Sequence, residues 1–100
     1  MILVFLIGIM PVAHAADIHP DQLFDLHCAG CHAHGGNIVR RGKNLKLRTL
    51  QRYQIDSVAA IADLITHGKN NMSAFGDRLS TSEIQALAAY VRQQAERNWR

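Results

Sequence analysis

The chain has no second cysteine pair, no stretch that alternates apolar and polar residues, and no internal repeat. Each absence excludes something. Without strand-type alternation there is no sheet to expect, and a thioredoxin-like dithiol, which needs a βαβ setting, has no frame. Without a repeat the chain is not a solenoid. A structural zinc site wants four ligands, often from two separated pairs, and only one pair is present. His27 and His34 stand close by, but four donors crowded into one helix end make poor tetrahedral geometry. Lysine and arginine never run together with interleaved aromatics. The 11 basic and 8 acidic residues leave a net charge of +3, which suits an acidic partner surface and offers nothing specific to nucleic acid. With 100 residues the chain is one domain at most.

The first fifteen residues, MILVFLIGIMPVAHA, lack charge altogether. Such a run is short of the roughly 20 apolar residues that cross a bilayer. Ala13-His14-Ala15 fits the small-x-small pattern before a signal-peptidase cut, and the polar DIHPDQ follows at once. Residues 1–15 therefore read as a signal peptide, in preference to a buried N-terminal strand or helix. Residues 16–100 read as the exported domain. The leader departs from pattern in one respect: no Lys or Arg precedes its apolar run. The exported part is small enough that its core calls for a staple, whether disulfide, metal or cofactor.

That part is patterned for helices. The first is predicted from Pro20, acceptable at a first helical position, through Leu23, Phe24 and His27. A short helix is predicted over 45–52. Asp56 reads as the N-cap of the next helix, with Val58, Ile61, Leu64 and Ile65 along one face and Gly68 as its stop. Ser80-Thr81-Ser82-Glu83 is a capping box opening a last helix that carries Ile84, Leu87, Ala88 and Val91, then Tyr90 and Trp99. Two irregular loops, 33–44 and 68–79, each hold an unusual cluster, and loops of that length in a small domain are usually functional or disordered.

Both cysteines lie in LHCAGCHAHGG, residues 26–36, with three of the six histidines. A disulfide between Cys28 and Cys31 would close a tiny loop and stabilise little. Cys28-x-x-Cys31-His32 is instead the attachment signature of a c-type haem. Thiols one helical turn apart reach two vinyl groups on one porphyrin edge, and the adjacent His32 lies where a ring nitrogen can bind the iron. A haem also supplies apolar bulk to a small core. Met72, the methionine outside the leader, would by itself read as gap-filling core. Beside a haem it reads as the second axial ligand, the common electron-transfer pairing with histidine. His67 is the rival, although its place at a helix end suits interaction with the dipole. His27 and His34 sit too near His32 to reach the opposite face and, with His19, default to structural or surface roles.

CAGCHA, GKNNMSAFGDRLS and the Tyr-to-Trp spacing of YVRQQAERNW together resemble the class I cytochromes c, in particular the cytochrome c6 group of cyanobacteria and algal chloroplasts. The likeness runs over most of residues 17–100, and the methionine loop is its specific part. It implies an all-α fold of about four short helices wrapped around one covalent haem. Cys28 and Cys31 would be the thioether anchors, and His32 and Met72 the axial iron ligands. It further implies that the first and last helices cross at Phe24 and Tyr90, helped by Leu23, Leu87 and Val91. Arg78 would take part in docking, with Lys69 and Asn70 near the haem.

Pro20 (Gly in the family), Ser73 (Pro) and Thr66 (read here as the site of a haem-proximal Gln) depart from the family pattern. Together the three departures leave open a divergent relative with a lower potential rather than the main photosynthetic carrier. The implied activity is a one-electron carrier rather than an enzyme, since both axial positions would be filled. It would be a soluble monomer of the thylakoid lumen, taking electrons from the cytochrome b6f complex to photosystem I and also to a terminal oxidase. The alternatives are a periplasmic respiratory cytochrome c feeding an oxidase, and a haem sensor or peroxidase-like enzyme, which would need Met72 to detach easily.

Overall fold

A computed structural model describes residues 17–100, so the predicted leader, residues 1–15, lies outside the described residues. Among the described residues there is no β-strand. Five α-helices follow in order: α1 Pro20–His27, α2 Ala29–His32, α3 Leu47–Arg52, α4 Val58–His67 and α5 Thr81–Glu96. None of them is long and apolar enough to cross a membrane.

Local chemistry explains most boundaries. Pro20 opens α1, where its missing N–H is no loss, and Asp21 meets the positive end of the helix dipole. The cap of α4 is Ser57, not Asp56. Ser57 takes the extended backbone (φ −90°, ψ 152°) that precedes a helix, and its Oγ accepts from the Ala60 N–H at 3.0 Å. The carboxylate one residue earlier is out of register for that bond. Helix α3 begins two residues later than predicted, because Lys46 keeps extended backbone (φ −72°, ψ 148°) and is the N-cap rather than a helical residue. At α5 the predicted capping box is complete: the Ser80 hydroxyl accepts from the Glu83 N–H, and the Glu83 carboxylate accepts from the Ser80 N–H.

The core gathers on one face of α5. Ile84, Leu87, Ala88, Val91 and Ala95 are buried there, meeting Ile61, Ala62 and Ile65 of α4 and Phe24 of α1. Burial of each large side chain contributes about 1.5–3 kcal/mol. Helices α1 and α5 cross where the family resemblance implied, with the Phe24 and Tyr90 rings 5.7 Å apart. Pro20 does not disturb this; it lies in a shallow depression against Ala86, Ala89 and Tyr90 of α5. Trp99 stands beyond the last helix rather than in it. Arg97 caps α5, Asn98 and Trp99 take left-handed backbone (φ 55° and 58°), and the chain folds the indole back onto Phe24, ring centroids 5.1 Å apart.

Candidate functional site

Helix α1 ends at His27, and Cys28 leaves helical geometry before the single turn of α2. The Cys31 and His32 N–H groups both donate to the Cys28 carbonyl, at 3.2 and 2.9 Å, which holds the two cysteines and the histidine on one turn. Burial pushes the Cys28 thiol up to about 11. A redox dithiol or a zinc ligand needs the opposite, a thiolate favoured near neutrality. Among the described residues, no group of three or more His, Cys, Asp or Glu converges as a metal site. His32 Nδ1 lies 2.7 Å from the Gly36 carbonyl oxygen. A carbonyl only accepts, so Nδ1 carries the proton and Nε2 keeps its lone pair for a ligand.

Met72 comes from the other loop. Gly68 ends α4 at φ 68°, ψ −179°, a conformation all but restricted to glycine. From there Lys69 and Met72 exchange two backbone hydrogen bonds, 3.1 and 2.9 Å, around a left-handed Asn70. The Phe75 and Gly76 N–H groups then donate to the Ile65 and Thr66 carbonyls, stitching the loop to the last turn of α4. This leaves the Met72 thioether half-buried.

Both loops open onto one cavity of about 340 Å³. Cys28, Cys31 and His32 line it together with Met72; Phe24, Leu50, Ile55, Ile61, Leu64, Ile65 and Phe75 make its apolar walls; and Arg40, Lys43 and Lys69 add cations. The Lys43 ammonium sits 3.5 Å from the centre of the Tyr53 ring, and both residues line the cavity. Two thiols, an imidazole with a free nitrogen, a thioether, an apolar wall and cations suited to carboxylates fit a haem and do not fit zinc.

Other expectations fare unevenly. His67 is exposed, its Nε2 3.4 Å from the Asp63 carboxylate, and it does not line the cavity. His34 is an exposed left-handed residue. His27, set aside as peripheral, lines the cavity and meets Phe75 edge-on at 5.7 Å. Thr66 is not the position facing the site: its hydroxyl donates to the Ala62 carbonyl at 2.8 Å, and Leu64, two residues earlier, lines the cavity instead. Helical periodicity explains the difference, since Leu64 shares the Ile61 and Ile65 face while Thr66 is rotated off it. Lys69, Asn70 and Ser73 line the cavity, whereas Arg78 stacks its guanidinium on Phe75, 4.2 Å from the ring centre. The contribution of α3 (Thr49, Leu50) and the residues after it (Tyr53, Ile55) was not legible in advance. A six-residue helix is too short for its apolar period to declare a face.

Residues 15–91 match the family model described as cytochrome c oxidase, cbb3-type, subunit III. A cytochrome c6-like protein of Nostoc sp. strain PCC 7120 is 56% identical over 98 residues, covering 96% of this chain and 88% of the relative. The cytochrome c6 of Aphanizomenon flos-aquae is 47% identical over 78% of this chain and 90% of its own. Among solved structures, cytochrome c6C from Synechococcus sp. PCC 7002 superposes with a TM-score of 0.76 at 59% identity, covering 78% of this chain and 95% of that one. Cytochrome c6 from the diatom Phaeodactylum tricornutum gives a TM-score of 0.78 at 41% identity, with 80% and 94% coverage. With the donor set and the helical fold in agreement, the chain belongs to the class I cytochromes c of the cytochrome c6 type, a mono-haem electron carrier with covalently bound haem c and not an enzyme.

Proposed function

We propose that Cys28 and Cys31 form the two thioether links to the haem, that His32 and Met72 are its axial ligands, and that the protein shuttles single electrons between membrane complexes. The observation that carries this reading is the convergence of Cys28, Cys31 and His32, from the α2 turn, and Met72, from a loop far along the chain, on one cavity. When bound, the haem supplies a one-electron iron couple whose potential follows axial ligation, burial and hydrogen bonding. The chain's own part is to present Nε2 of His32 by holding its Nδ1–H on Gly36, and to present the Met72 sulfur from the turn set by Gly68. The apolar walls keep water away, and the cavity stays open where the exposed Val39 lines it.

The cyanobacterial and algal relatives support a route from the cytochrome b6f complex to photosystem I, with a terminal oxidase as a second acceptor. They also support a monomer working in the thylakoid lumen after removal of residues 1–15. The family model's description favours a second reading, a periplasmic respiratory carrier that donates to an oxidase. Comparing electron-transfer rates to isolated photosystem I and to a terminal oxidase separates the two, and whichever acceptor fails to react is eliminated.

The ferric protein is expected to show the weak far-red absorption of a methionine–iron bond. Met72→Ala abolishes that band; its persistence would remove Met72 as ligand. Ready carbon monoxide binding by the ferrous wild type would sink the electron-carrier reading in favour of a sensor or enzyme. In Cys28→Ser/Cys31→Ser the haem becomes extractable, and covalent haem retained there would refute the attachment.

A further inference from the structure

Trp99 is the penultimate residue of the described chain, yet its bonds lead to the loop after the haem-attachment motif. Its indole Nε1–H donates to the Leu45 carbonyl at 2.9 Å. The Leu45 N–H in turn donates to the Gly35 carbonyl at 2.7 Å. Gly35 is buried, with φ 78°, and the indole occupies the space a side chain would need: a Cβ there would overlap the ring carbons and Nε1. The next carbonyl along, that of Gly36, accepts from His32 Nδ1 at 2.7 Å. One end of the clamp is therefore anchored in the aromatic cluster with Phe24 and Tyr90, 5.1 and 6.3 Å away. Its other end holds the Gly35 carbonyl, one peptide before the Gly36 carbonyl that orients the imidazole.

We propose that Trp99 is a positioning residue for His32. Through Leu45 and the Gly35–Gly36 peptide it fixes the Nδ1–H hydrogen bond, and with it the ring orientation and tautomer. This rests on His32 being an axial ligand. The loop has ties of its own: the Ile38 N–H donates to the Cys31 carbonyl at 2.9 Å, and the Asn37 side chain bridges the Val39, Arg40 and Lys43 backbone. These hold the residues beyond Gly36. The Gly35–Gly36 peptide is tied locally through its N–H, which donates to the Ala33 carbonyl at 3.0 Å, while its carbonyl is gripped from the C-terminal segment through Leu45. Hydrogen bonds to the far nitrogen of a ligating histidine set its basicity and orientation, and losing such a partner typically weakens the metal bond about 10–100-fold.

The test compares haem-loaded Trp99→Phe with wild type and with Ile84→Val, a core change in α5 that removes a methylene without touching the loop. Trp99→Phe keeps an aromatic ring and deletes the N–H donor. Proton NMR of the ferrous protein reads hydrogen exchange at His32 Nδ1–H, and voltammetry reads the reduction potential. Trp99→Phe is expected to speed that exchange about tenfold or more, in keeping with the size of such outer contacts, and to shift the potential. Ile84→Val, at a similar loss of Tm, leaves both unchanged. Gly35→Ala, which displaces the indole while keeping its donor, reproduces the effect and serves if Trp99→Phe does not fold. Exchange and potential unmoved in both variants, with only Tm lowered, would overturn the proposal and leave His32 as ligand. If wild type shows no haem-shifted His32 ring resonances, the ligand reading falls, and this proposal with it.

Discussion

Gly68 holds φ 68°, ψ −179°, and an added Cβ would meet the Met72 carbonyl oxygen at 2.5 Å and the Ala74 nitrogen at 2.8 Å. Backbone atoms cannot swing aside as side-chain ends do. Gly68→Ala is therefore expected to destabilise the protein by about 1–3 kcal/mol, the cost of a disallowed backbone conformation, and to weaken the far-red methionine band as the turn from Lys69 to Met72 is pushed apart. Thermal unfolding and the ferric spectrum measure the two effects. A variant with wild-type Tm and an intact band would show that the turn tolerates a side chain. Local surroundings, not residue identity, separate the histidines. His32 is distinguished from its neighbours by the Gly36 carbonyl at 2.7 Å, a partner that only the folded loop supplies. By contrast His34 stays exposed and His67 pairs with Asp63.

Among the elements, α5 is the one most fully written in the sequence. Its capping box, its apolar spacing and its burial agree, and Leu87 is completely buried. Ser80→Ala removes the acceptor for the Glu83 N–H. It is expected to cost about 1 kcal/mol, seen as a lowered Tm with the haem spectrum unchanged because the cap lies away from the cavity lining. An altered spectrum would mean that α5 transmits its N-terminal fraying to the site. The shorter elements were less legible. The start of α3 depends on Lys46, whose extended backbone makes it the cap rather than the first helical residue. The choice of Ser57 over Asp56 as cap depends on which residue takes the extended backbone. Propensity ranks the two residues alike, so only geometry separates them. The reading of Thr66 as facing the site failed by two positions on α4, where two positions turn a side chain to the other face.

Over the whole molecule the charges are unevenly distributed along the chain. Between Asp25 and Asp56 there is no acidic residue, while Arg40, Arg41, Lys43, Lys46, Arg48 and Arg52 all fall in that interval. Arg40 and Lys43 line the cavity, beside the exposed Ile38 and Val39. Such a face steers encounter with an acidic partner surface. Raising ionic strength from about 0.01 M to 0.15 M shortens the screening length from about 30 Å to about 8 Å. The bimolecular electron-transfer rate to the proposed acceptor, photosystem I, is then expected to fall by about tenfold or more, and Arg41→Glu should lower it at low salt while leaving the spectrum intact. A rate indifferent to salt would remove electrostatic steering from this interface.

The Cys-x-x-Cys-His spacing, the methionine loop's pattern, the helical class and the capping of α5 were legible in the sequence alone. Each rests on residues within about one or two helical turns, where spacing and backbone preference suffice. Tertiary structure decided the rest: that Met72 reaches the same cavity as His32, that Leu64 rather than Thr66 faces it, that α3 and the residues after it wall it, and that Trp99 grips Gly35 from the far end of the chain. Those pairings join residues whose separation along the chain carries no periodic signal. They exist because the crossing of α1 and α5 and the packing of α4 on α5 bring distant loops to one side of a shared core.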